Sequence, residues 1–257
     1  MGRVVFIGAG PGAADLITVR GAARLREAEV VLFDALTDPA LRDLAPQAEW
    51  VNVGKRGFDH AVSQSHINGL LLQHARAHGV VVRLKGGDPS LFGRLEEELQ
   101  TLQAAGIATE VVPGVTSALA AAAALQRPLT RRGLGRSVSF ATAMTRTLDV
   151  HACRSADTEV FYMASRQLGP LSRQLQDAGW DAATPVLVIS RAGWSDQLAS
   201  DHTVATLAEA GALHGGRPSV VTVGIGATAV GSAAQNRPDP PEPDHVSSKT
   251  AMAASKP

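Results

Sequence analysis

One cysteine in 257 residues, Cys153, excludes an internal disulfide framework and fits a reducing compartment. Charge of neither sign is in excess: 24 Lys and Arg stand against 24 Asp and Glu. No global field therefore recruits nucleic acid or an anionic membrane, and a basic site for an acidic ligand has to be local. Aromatic residues make up 4% of the chain and the basic residues are scattered, which excludes the stacking, cationic surface of a nucleic-acid binder. No apolar run approaches the ~20 residues of a membrane span. Met1-Gly2-Arg3 leads straight into a short apolar strand with no signal-peptide core, so a cytoplasmic location is expected. Metal signals are as sparse. His74 and His78 are four apart on an expected helix, but no third ligand follows at motif spacing, so a solvated helix face and no metal are expected.

What is present is an alternation of short β-branched runs with amphipathic stretches. Hydrophobic residues at 45% and charged residues at 19% suit an ordinary globular protein. Strands are expected at Val4–Ile7, Val30–Phe33, Trp50–Val53, Val80–Leu84 and Thr109–Val112. Helices are expected between and after them at Leu16–Ala28, Pro39–Leu44, Gln64–Ala77, Leu95–Ala105 and Thr116–Leu125. Such alternation predicts an α/β fold with a largely parallel sheet covered on both faces. Beyond Leu129 the pattern restarts with strands Ser137–Thr142, Glu159–Met163, Val186–Ser190 and Ser219–Val223 and helix Leu168–Ala178. Two lobes are expected, 1–128 and 129–235, with a Pro- and Ser-rich tail, 236–257, that should be disordered.

Two glycine-rich loops carry the chemistry. Gly8-Ala9-Gly10-Pro11-Gly12-Ala13 follows the first strand and satisfies the dinucleotide pattern G-x-G-x-x-G/A, with Asp34 ending the next strand. Against that NAD(P) reading, Pro11 lacks an N–H for a pyrophosphate, and Asp34 lies 26 positions after Gly8 rather than the usual ~20. A second pair, Gly86-Gly87, ends the strand Val80–Leu84 and runs into Asp88-Pro89, and it has no role in a dinucleotide site. Paired glycines there let main-chain groups approach a ligand that a Cβ would hold away, in the crevice where open α/β sheets bind.

Lys85-Gly86-Gly87-Asp88-Pro89 with Phe92-Gly93-Arg94 resembles a signature loop of the uroporphyrinogen-III C-methyltransferase branch of the tetrapyrrole methylase family. Gly8-Ala9-Gly10-Pro11-Gly12, Gly54-Lys55-Arg56, Ile67-Asn68, Glu110–Ala118, Pro128-Leu129-Thr130 and Val160–Met163 resemble further family elements, in the same order. The chain departs from the pattern at Ala35, at Leu95-Glu96, at Arg131-Arg132-Gly133 and at Thr142-Ala143-Met144. The resemblance implies a two-lobed fold, mostly parallel in the first lobe and mixed in the second. It implies S-adenosylmethionine as methyl donor, no metal, a small-molecule tetrapyrrole substrate and a homodimer. It also implies C-methylation of uroporphyrinogen III to precorrin-2 on the siroheme or cobalamin route, with a later precorrin as the alternative. A non-catalytic binding module is the rival from another class.

By the same resemblance the cofactor contacts are Pro11, Gly86, Gly87, Asp88, Leu91, Thr116, Ser117, Met163 and Ala192. Asp34 is the implied base for proton loss and Lys55 a proton donor, while Arg56, Arg131 and Arg132 are the best local cations for an eight-carboxylate substrate. Each has a plainer reading from the residues alone. Asp34 could cap a turn, Thr116 and Ser117 could cap the helix that follows, Lys55-Arg56 could be a solvated pair, and Met163 reads as core.

Overall fold

The computed structural model describes residues 2–54, 63–143 and 151–232. Lys55 and Arg56, and the tail 236–257, lie outside them. Five strands form the first sheet: β1 (Arg3–Gly8), β2 (Val30–Phe33), β3 (Glu49–Asn52), β4 (Val80–Lys85) and β5 (Ala108–Val112), all parallel in the order β3-β2-β4-β1-β5. The inner strands β1, β2 and β4 are largely buried on both faces and read as nearly continuous apolar runs, whereas the edge strands β3 and β5 are partly exposed and carry polar residues. Val5, Ile7, Val31, Val82 and Leu84 face α1 (Val19–Arg26) and its Leu25. Val4, Phe6, Val30, Leu32 and Val81 face α2 (Gln64–Ala77) and α3 (Leu95–Ala104). This strand order differs from the 3-2-1-4-5-6 of a dinucleotide-binding fold. The NAD(P) reading of the first loop is thereby corrected, since β1 is flanked by β4 and β5 instead of β2 and β4.

The second sheet is mixed, in the order β6-β7-β10-β8-β9. Its strands are β6 (Val138–Thr142), β7 (Thr158–Tyr162), β8 (Pro185–Ser190), β9 (Leu198–Thr203) and β10 (Ser219–Gly224). Only β6 and β7 pair in parallel. Helix α5 (Leu168–Asp177) buries Leu168, Leu171 and Leu175 against this sheet. The short α4 (Ser117–Ala124) precedes residue 129, yet its Ala118, Ala120 and Ala121 pack on Val160, Ile189 and Val220 of the second sheet.

Two local expectations change, and one strand joins those expected. The helix expected at Leu16–Ala28 is a 3-10 turn, Ala14–Leu16, followed by α1, because the Thr18 hydroxyl accepts from the Gly21 N–H at 3.0 Å and starts a new helix there. Pro39–Leu44 is a 3-10 turn capped by Asp38. The stretch before Leu207 holds β9, an edge strand whose sequence Leu-Ala-Ser-Asp-His-Thr has no apolar alternation because much of it faces solvent.

Candidate functional site

The ends of β1, β4 and β5 meet main chain to main chain. A Cβ added at Gly8 would lie 2.5 Å from Gly114 Cα and 2.7 Å from the Gly87 oxygen, and one at Gly114 would lie 2.3 Å from that oxygen. No side chain fits between these loops. Gly87 and Gly10 bond to each other, with Gly87 N–H donating to Gly10 O at 2.7 Å and Gly10 N–H to Gly87 O at 3.3 Å. Asp88 ties in the third loop: its carboxylate accepts from the N–H of Gly114 at 2.9 Å and of Ser90 at 2.8 Å. Gly86 and Gly87 behave differently on their outer side. An added Cβ would find its nearest neighbours at 3.6 Å (Leu36) and 3.9 Å (Thr116), so the missing side chains leave an open cradle.

That cradle is the floor of a cavity of about 530 Å³ between the two sheets, a size suited to a nucleoside-bearing ligand. Pro11, Gly86, Gly87, Asp88, Leu91, Thr116 and Ser117 line it from the first sheet's loops and from the start of α4, and Met163 and Ala192 from the second sheet's loops. Asp34 lines it as well. Met163 corrects the plainer reading: the residue is 46% exposed and its φ is +58°, so it is no core residue. Phe92 and Arg191, also in the lining, share this left-handed backbone at φ +53°. Such strain costs on the order of 1–3 kcal/mol per residue and gathers at ligand sites.

Thr116 does not cap α4 with its side chain. Its hydroxyl lies 2.7 Å from the Tyr162 hydroxyl, joining the start of α4 to the end of β7. Burial pushes the Tyr162 phenol up, so it stays protonated at neutral pH. Tyr162, Phe92, Trp194, Arg166 and Arg191 are lining residues that sequence reasoning did not assign. Phe92 and Tyr162 stood in motifs already singled out, and their rings are 5.1 Å apart. Trp194 had one faint signal in Gly12: a Cβ there would fall 1.9 Å from the indole nitrogen, which donates to Pro11 O at 3.3 Å. Part of the first loop's glycine content therefore serves the indole.

Below the cavity lies a charge network. Arg83 and Lys85 sit on the α3 side of β4 with Glu98 of α3, their side chains 3%, 4% and 0% exposed. Glu98 accepts from Arg83 Nε at 3.3 Å, from Lys85 Nζ at 3.0 Å and from Gln64 Nε2 at 3.1 Å. Arg83 Nη2 then donates to Asp34 Oδ1 at 2.7 Å. Burial opposes the Arg83 charge, but Asp34 and Glu98 outweigh it and hold its pKa above the ordinary value. Burial and the adjacent Arg83 push the Lys85 ammonium down. The Asp34 carboxylate therefore does not cap the next turn; Thr37 bonds to the Asp34 main-chain oxygen instead. The side chain, 31% exposed, is aimed by a buried guanidinium.

The other basic residues are placed differently. Arg131 and Arg132 do not line the cavity. Arg131 donates to the carbonyls of Thr228 and Ala229, and burial together with Arg127 lowers its pKa. Arg132 is exposed. Arg191 in the lining pairs with Asp196 at 2.7 Å.

Residues 3–210 match the family model of the Tetrapyrrole (Corrin/Porphyrin) Methylases. The chain is 40% identical over 233 residues to the uroporphyrinogen-III C-methyltransferase of Synechocystis, covering 87% of this chain and 89% of that one. It is 42% identical over 212 residues to siroheme synthase 1 of Cronobacter sakazakii, of which it spans 45%. The chain thus spans less than half the length of the siroheme synthases it matches. Among solved structures, the Thermus thermophilus uroporphyrin-III C-methyl transferase in complex with S-adenosylhomocysteine is 37% identical with a TM-score of 0.77, covering 88% of this chain and 98% of that one. A cobalt precorrin-4 methyltransferase of cobalamin biosynthesis is 30% identical with a TM-score of 0.75, covering 88% and 96%.

Proposed function

The chain belongs to the tetrapyrrole (corrin/porphyrin) methylases, and from that premise we propose that it is an S-adenosylmethionine-dependent C-methyltransferase that converts uroporphyrinogen III to precorrin-2. The observation that carries this reading is the open Gly86-Gly87 cradle on the floor of a cavity closed by Met163 and Ala192 from the other sheet. The bound donor supplies a methyl group activated on a sulfonium. The chain's own residues do the rest. Main-chain groups of Gly86 and Gly87 approach the donor without a Cβ, and Leu91 and Ala192 supply apolar wall. The Tyr162–Thr116 bond holds the two sides of the cavity at fixed separation.

When a pyrrole carbon takes a methyl group, a proton must leave the macrocycle. Asp34 is the base in this reading, oriented by Arg83 and open to the cavity. Lys55 as proton donor completes the proposal on the strength of the resemblance, with Arg56 as a local cation for the substrate carboxylates. Arg131 and Arg132, outside the cavity lining, are left without a substrate contact. A cytoplasmic homodimer belongs to the same reading.

Incubation with uroporphyrinogen III and the methyl donor, followed by mass analysis, should show addition of two methyl groups. The similarity to a cobalt precorrin-4 methyltransferase favours a second reading, a later precorrin as substrate. Methylation of that substrate with none on uroporphyrinogen III would select it. Tight donor binding without turnover on any tetrapyrrole would select the binding module.

The cofactor half of the proposal has its own test. S-adenosylhomocysteine at a hundredfold excess over its Kd should stabilise the fold by about 2.7 kcal/mol, read as a higher Tm, while NAD should leave Tm unchanged. Gly87→Val should abolish the shift, since its side chain would fill the cradle and its φ of +68° strains a β-branched residue. A shift with NAD instead would return the first loop to dinucleotide binding.

A further inference from the structure

The amino-terminal edge of the first sheet, opposite the cavity, gathers three ligating side chains. His74 and His78 lie four residues apart at the carboxyl end of α2, with ring centroids 5.7 Å apart. Glu49 opens the edge strand β3 beside them. One potential ligand atom from each of Glu49, His74 and His78 lies within 4.8 Å of the other two. The third ligand that the sequence lacked at motif spacing is thus brought in from a strand 25 residues upstream of His74.

We propose that Glu49, His74 and His78 form a binding site for a divalent cation of zinc type. The ligand set, two imidazoles and one carboxylate, is the one borderline divalent metals prefer, and it leaves a position for water. Zn–N and Zn–O bonds of about 2.0–2.2 Å put tetrahedral ligand atoms roughly 3.4 Å apart, so small rotations of the three side chains close the site. Two further features favour a cation. The carboxyl end of α2 presents the negative end of its dipole there. The Glu29 carboxylate lies 3.5 Å from His78 Nδ1 and is itself held by the N–H groups of Gly79 and Val80 at 3.1 and 3.2 Å. A fixed carboxylate against an imidazole nitrogen is the outer-shell arrangement that orients metal-ligating histidines. The bound metal ties edge strand β3 to α2, far from the cradle, so its expected effect is on stability and not on the methyl-transfer centre.

The test is a titration of the full chain with Zn²⁺, following heat and Tm. Wild type should bind one equivalent at this site and melt higher with Zn²⁺ than with EDTA, while Mg²⁺ should leave Tm unchanged. His74→Ala/His78→Ala should lose that equivalent and its Tm increment while melting like wild type in EDTA. Glu49→Ala, at an exposed strand end that cannot unfold the chain, should weaken binding at least tenfold, and Glu29→Gln by roughly 10–100-fold. No Zn²⁺-dependent shift in wild type overturns the proposal. So does a shift of the same size in both the double histidine variant and Glu49→Ala, which would assign the metal to other histidines.

Discussion

Asp34→Asn should keep the affinity for S-adenosylhomocysteine while lowering the single-turnover methylation rate by roughly 10²-fold or more. The Asp34 carboxylate lines the cavity, and its Oδ1 accepts from Arg83 Nη2 at 2.7 Å. The turn that follows is capped through the Asp34 main-chain oxygen, which asparagine also has. Asparagine preserves volume and an acceptor for Arg83, and Glu98 still balances the buried guanidinium, so the donor site should stay in place while the fold loses some stability with the Asp34 charge. What it removes is the capacity to take a proton. Donor affinity and single-turnover rate should be measured on one preparation. A near-native rate removes Asp34 from the mechanism and leaves Lys55 and bulk water to handle the proton.

The largest expected loss of stability is at Glu98→Leu. Glu98 is fully buried and is the shared partner of two buried cations, Arg83 and Lys85. Taking away one member of a buried ion cluster costs about 3–5 kcal/mol, because the charges left behind have lost both water and their partner. Lys85 can answer by releasing its proton, a direction in which burial already pushes it. Arg83 cannot, and it keeps Asp34 as its charged partner beside the Leu32 and Leu84 carbonyls. Urea unfolding should therefore show a marked drop in midpoint at unchanged slope. A change below about 1 kcal/mol would mean that water reaches the cluster. Replacing the cluster together, with Arg83→Met, Lys85→Met and Glu98→Leu, should restore much of the stability. Activity should not return with it, because Asp34 would have lost the guanidinium that aims it. That split distinguishes a network that orients the site from one that only holds α3 on the sheet.

The strand and helix order of the first sheet was legible in the chain because a parallel strand buried on both faces writes itself as an uninterrupted apolar run. Val30–Phe33 and Gln64–Ala77 are observed with those same bounds. The glycine loops were legible too, since only glycine permits the main-chain contacts that Gly8, Gly87 and Gly114 make. Other features had no local signature. The edge strand β9 is half solvated and carries no apolar alternation. Arg83 sat inside an apparently apolar strand, and its role depends on Asp34, 49 residues earlier, and on Glu98 in the next helix. Trp194 reaches Pro11 across 183 residues, Tyr162 reaches Thr116 across 46, and Glu49 meets the two histidines only once β3 lies beside α2. Periodicity and turn chemistry act over a few residues, so the sequence by itself determined the elements and the glycine loops. Which buried charge faces which acid depends on strand order and on the crossing between sheets, and those are settled only when the apolar faces pack.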